Sequence, residues 1–158
     1  MHRRAVFFYF LLSQTSAWSA ILQIDLPDAP RNCSTECYVD DTNLLVSFHS
    51  QDTRRIVEEM NEDLLEVRNW CFRNRLFLNP DKTKLIVFGS RQMTSKLHDF
   101  RLSLMGKDIC PVQSAKDLGV ILDPYLSFDD HITTTVSKAL HALHKLTASN
   151  IVLAKAHC

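Results

Sequence analysis

The chain has 158 residues, enough for one domain with a core and too few for several. Apolar residues make up 46% and charged residues 23%, ordinary globular usage that argues against disorder along the whole length. With 18 basic and 18 acidic residues the formal net charge is zero, which on its face argues against a nucleic-acid binder.

His2-Arg3-Arg4, the eight apolar residues Ala5 to Leu12, and Ala17-Trp18-Ser19-Ala20 carry the three parts of a secretory signal. The apolar run is far short of the about 20 residues a membrane span needs, and a buried strand or helix stub would read the same way. Residues 1–20 are therefore an apolar N-terminus without assignment, and no stable membrane span is expected. Pro27, Pro30 and Asn32 mark a linker or turn. Cys33 to Val39 and Asn43 to Phe48 then predict a β-hairpin with Asp40-Asp41-Thr42 at its tip.

From Ser50 or Asp52 as N-cap, Ile56, Met60, Leu64, Val67 and Cys71 recur at steps of four, four, three and four, which predicts an amphipathic helix. Its outer face carries Glu58, Glu59, Glu62, Asp63 and Glu66, all expected in water. Asn79-Pro80-Asp81 predicts a turn, and Lys84 to Phe88 a strand covered on both faces. After a basic loop to Ser95, the alternation from Leu97 to Leu104 predicts a strand that turns at Gly106-Lys107-Asp108 into Ile109 to Val112. Leu118 to Leu122 reads as a buried strand ended by Asp123-Pro124. Beyond Ser127 or Asp129 a helix follows, with Ile132, Val136, Leu140 and Leu143 on one face. The fold class is α+β: antiparallel hairpins packed with an amphipathic helix, then a second helix.

Charge is unevenly spread. From Glu36 to Glu66 nine acidic residues face two basic ones, and from Arg68 to Lys107 nine basic residues face two acidic ones. A salt-bridged, solvated surface accounts for this, and so does a metal site beside a phosphate-binding track. The five cysteines are odd in number and lack zinc spacing, while the apolar neighbours of Cys71 and Cys110 suit buried free thiols. A reducing compartment is the simpler inference, and an intracellular location is favoured over secretion.

Two carboxylates at a turn repel one another unless a cation neutralises them. Mg²⁺, held by one or two carboxylates, waters and substrate phosphates, suits such a tip. Asp-Asp turns are common, however, and most only close a hairpin.

Cys37-Tyr38-Val39-Asp40-Asp41-Thr42, then Trp70-Cys71, Asn74, Leu76-Phe77-Leu78-Asn79 and Lys82-Thr83-Lys84, then Asp117-Leu118-Gly119-Val120-Ile121-Leu122-Asp123 with Leu126-Ser127-Phe128 and His131-Ile132, stand in a distinctive order. Over residues 21–147 the chain resembles the reverse transcriptases of non-LTR (LINE-type) retrotransposons; residues 148–158 form a tail. The resemblance implies a partial reverse-transcriptase palm followed by a thumb-like helix. It implies RNA-directed DNA polymerase descent, Mg²⁺ as cofactor and an RNA/DNA primer-template as partner. By the same resemblance Asp40 ligates the catalytic metals, Asp41 supports it, and Lys82 matches a lysine thought to assist pyrophosphate departure. Arg73, Arg75, Lys82, Lys84 and Arg91 would meet nucleic acid.

Two metals held about 3.5 to 4 Å apart need a further aspartate on a neighbouring strand. The family places it well upstream, and Asp25 and Asp28 do not match it. The chain is therefore expected to be a fragment, inactive alone, whose missing subdomains would have to come in trans and whose sheet would leave an edge and apolar surface uncovered. Two other readings remain open: a non-catalytic nucleic-acid binder that also uses Arg68 and Lys96, and a small secreted protein with disulfides.

Overall fold

The structure, a computed structural model, describes residues 4–13, 26–38, 41–97 and 99–155. β1 (Arg4–Ser13), β2 (Ser34–Tyr38), β3 (Asp41–Phe48), β4 (Phe77–Leu78) and β5 (Lys84–Phe88) form one antiparallel sheet. Its order is β2-β3-β1-β4, and β5 also pairs with β1. The apolar run near the N-terminus is thus a strand at the sheet's centre. Its register sets Phe8 opposite both Leu44 of β3 and Leu85 of β5. β1 takes the place beside the hairpin that was expected to stand uncovered. The far side of β5 is bordered in turn by residues 111 and 112, through the Leu85–Pro111 bridge and the bond from Val112 N–H to the Leu85 carbonyl.

α1 (Thr53–Arg73) packs on one face of this sheet because its apolar stripe is continuous. Ile56, Met60, Leu64, Val67 and Cys71 join Leu44, Phe48, Leu85 and Val87 in a single core, where the Phe48 and Phe100 rings stack 6.0 Å apart. Burial pushes the Cys71 thiol up to about 12, as befits a core residue. At the helix end Arg75 adopts φ 57°, and Leu76 N–H reaches the Cys71 carbonyl at 2.8 Å, so the chain turns sharply into β4.

Asp63 departs from expectation. It is buried at 1% exposure. Its Oδ1 accepts the Arg31 N–H at 2.9 Å, its Oδ2 accepts the Asn32 N–H at 2.9 Å, and Asn32 Nδ2 adds a third donor. Position 63 flanks the apolar stripe, and the loop leading into β2 lies over it.

After the short α2 (Arg91–Thr94), β6 (Leu102–Leu104) and β7 (Lys107–Ile109) make a hairpin that packs Leu102, Leu104 and Ile109 into the core. The strand is shorter than the alternation from Leu97 suggested, since Ser95–Leu97 forms a helical turn. β8 (Ala115–Asp117) and β9 (Val120–Leu122) make a second hairpin. Here the expected buried strand from Leu118 is instead interrupted by the turn itself. Leu118 and Gly119 both take positive φ, 44° and 90°, as a two-residue hairpin turn requires, and Leu118 is exposed.

α3 (Asp129–Lys155) begins after a tight loop in which the Asp123 carboxylate accepts the Tyr125 and Phe128 N–H groups, each at 2.9 Å. It runs through the proposed boundary at residue 147. Ile132, Val136, Leu140 and Leu143 share one face as expected, but all are more than half exposed. Cys110, expected to be buried, is exposed, and Cys33, Cys37, Cys71 and Cys110 are all free thiols. Among the described residues no helix is long and apolar enough to cross a membrane.

Candidate functional site

The register pairs Tyr38 with Asp41 and leaves Val39 and Asp40 between the two strands. Asp40, the foremost candidate metal ligand, lies outside the described residues. Asp41 and Thr42 belong to β3 rather than to a loop, so their side chains alternate between the two faces. Thr42 is buried towards the helix side, its Oγ1 donating to Cys37 Sγ at 3.7 Å. Asp41 and Asn43 share the opposite face. Tyr38 stands exposed at the end of the hairpin.

That opposite face receives a residue that spacing alone did not single out for metal chemistry. Asp117, from the end of β8, approaches Asn43, whose Nδ2 donates to Asp117 Oδ2 at 3.5 Å. Burial pushes the Asp117 carboxyl above its ordinary value; the bond from Asn43 lowers it, and the nearby charge of Asp41 raises it again. Asp117 was noticed only as the first residue of the Leu118-Gly119-Val120 segment. The one signal available was an acidic residue at the base of a glycine turn, too common to select.

Chain direction explains where the basic residues go. β3 runs away from Asp41, α1 returns towards that end, and Arg73 and Arg75 close it just before β4 pairs with Leu12 and Ser13. β5 starts at the same end, since Lys84 is opposite Tyr9 and Tyr9 is opposite Asn43. Arg73, Arg75, Lys82 and Lys84 are thus exposed at the sheet end that carries Asp41. Arg91 is not with them. It follows β5 at the other end, where its guanidinium lies 5.2 Å from the centre of the Tyr125 ring beside a cleft of about 360 Å³.

Lys82 projects from a turn built by its neighbours. Asn79 Oδ1 accepts the Asp81 N–H at 3.0 Å, and the Asn79 carbonyl accepts the buried Thr83 hydroxyl at 3.0 Å. Asp81 pairs with Lys107, which holds its carboxyl below the ordinary value, so the acid next to Lys82 is engaged elsewhere. One strand, β1, separates Lys84 at the start of β5 from Asn43 of β3, a backbone span of roughly 10 Å.

Among the described residues no three His, Cys, Asp or Glu side chains converge as a complete metal site. The arrangement can offer a cation the oxygens of Asp41, Asn43 and Asp117. No protein-family model, no curated protein and no solved structure matches the chain.

Proposed function

We propose that the chain is a remnant of a non-LTR retrotransposon reverse transcriptase, an RNA-directed DNA polymerase by descent that has no polymerase activity by itself. The observation that carries this is the hairpin β2–β3, whose second strand opens on Asp41 directly after Asp40 in the sequence, followed in order by the Asn79-Pro80-Asp81-Lys82-Thr83 turn and the Leu118-Gly119 hairpin. In this reading Asp40 and Asp41 would hold Mg²⁺, which neutralises phosphate charge during nucleotidyl transfer. The orphaned buried oxygens near Asp41 are compatible with a cation there. Lys82 would stand by for proton donation, and Arg73, Arg75, Lys82 and Lys84 would meet a primer-template.

Inactivity follows from β1. It is the strand next to the hairpin, the place from which a second carboxylate would have to come, and its sequence RAVFFYFLLS contains neither Asp nor Glu. With purified protein, Mg²⁺, nucleotides and a primed RNA template, no extension is expected. Extension that disappears in Asp40→Ala would reject the claim of inactivity. Primer-template binding is expected, with log affinity falling against log salt by about 0.9 per neutralised duplex phosphate. A flat salt titration, or no binding, would remove nucleic acid from the proposal.

A further inference from the structure

Asn43 is only 7% exposed, and it is buried on the sheet face turned away from α1. Its amide nitrogen donates to Asp117 Oδ2 at 3.5 Å, and Oδ1 is the other arm of the same amide. That Oδ1 has no hydrogen-bond partner, and neither has Asp117 Oδ1, although both atoms are shielded from solvent. A buried oxygen left without a donor is costly, and a second carboxylate nearby makes it more so. No lysine or arginine among the described residues forms an ion pair with Asp41 or Asp117. Cys37, the cysteine of the hairpin strand β2, pairs with Thr42 on the other face.

Among the described residues no cation is thus paired with these carboxylates, although Lys84 begins β5 at the same sheet end, and what lines the spot is oxygen. Two carboxylates and an amide carbonyl, without sulfur or imidazole, match a hard divalent cation that completes its shell with water. Glu36 is opposite Asn43 in the register, so it rises on the same face at the rim.

We propose that Asp41, Asn43 and Asp117 form a divalent-cation site that clasps the β8–β9 hairpin onto the main sheet. The ligand from β8 lies 74 residues along the chain from Asn43, so an ion bound here ties the second half of the fold to the first. The proposal shares Asp41 with the polymerase reading and otherwise stands on Asn43 and Asp117, so each can fail without the other.

The test uses the full chain with Mn²⁺ as paramagnetic probe and Mg²⁺ as competitor. In amide NMR spectra, substoichiometric Mn²⁺ should broaden residues 41–43 and 116–118 together, and excess Mg²⁺ should restore both. Asp117→Asn, nearly isosteric and without the extra charge, should weaken Mg²⁺ binding about tenfold or more while leaving the fold intact. Asp40→Ala should keep the broadening at both segments. Broadening confined to the hairpin turn, or lost in Asp40→Ala, would assign the ion to the Asp40-Asp41 turn alone and overturn the proposal. Absence of any Mn²⁺ effect would overturn it as well. Because the broadening is read on the unaltered chain, a misfolded variant does not leave the matter open. Primer extension plays no part in these outcomes, so failure of the polymerase reading is seen separately.

Discussion

Asp63 shows how one residue's role can be hidden by its neighbours. In sequence it belongs with Glu58, Glu59, Glu62 and Glu66, and four of these five acids keep at least partial contact with water. Asp63 sits one position before Leu64, on the flank of the apolar stripe, and the loop at Arg31 and Asn32 covers it. Its carboxylate gathers two backbone N–H groups that would otherwise lack an acceptor. Charge-assisted bonds of this kind are worth about 1.5–3 kcal/mol each at most, so Asp63→Ala should cost roughly 2–3 kcal/mol in total. Urea denaturation monitored by circular dichroism measures this; a loss below about 0.5 kcal/mol would mean that water replaces the carboxylate. Asn79 and Thr83 teach a related lesson. Two members of the motif around Lys82 have a structural task, building the turn, which leaves the lysine as the member free for other work.

At the scale of elements, α1 and α3 carry similar apolar spacing with opposite fates. Met60 and Leu64 are fully buried beneath the sheet, whereas Leu140 and Leu143 are 61% and 58% exposed. Periodicity states that a helix has an apolar face; it does not state whether anything covers that face. Leu64→Ala should therefore destabilise by about 2–5 kcal/mol, the range for removing a core leucine. Leu140→Ala should stay within about 0.5 kcal/mol. Paired thermal or urea melts of the two variants decide it, and equal losses would show that α3 is packed in solution. The β8–β9 hairpin was harder to foresee because its turn is disguised. Leu118 occupies a left-handed position that usually selects Asn, Asp or Gly, so only Gly119 marks the reversal.

At the scale of the whole molecule, β1 organises the sheet. It pairs with β3, β4 and β5, and without it the backbone groups of β3 and β5 that face it would lose their partners together. Deleting residues 1–13 should abolish cooperative unfolding and leave poorly dispersed amide resonances, as NMR and thermal melts can show. A truncated chain that melts as sharply as the intact one would demonstrate that β1 is dispensable. The same topology gathers four of the five candidate basic residues at the Asp41 end and sends Arg91 to the other. Alternating strand directions, not sequence distance, decide which charges are neighbours.

By itself the sequence determined the local elements whose signals are local. The hairpin around Tyr38 to Asp41, the amphipathic helix, the turn at Asn79 and the strand from Lys84 follow from side-chain period and turn chemistry, which act over a few residues. It also determined the order of motifs on which the polymerase proposal rests. Only the tertiary structure decided that residues 4–13 are the central strand, that Asp63 is buried, and that Asp117 meets Asn43 beside Asp41. Each of these depends on segments brought together from tens of residues apart. Burial of one apolar face against another sets that meeting, and no short window of sequence contains both partners. The Asp40-Asp41 pair is legible in the chain, while the carboxylate of Asp117 becomes a neighbour of Asn43 and Asp41 only after folding.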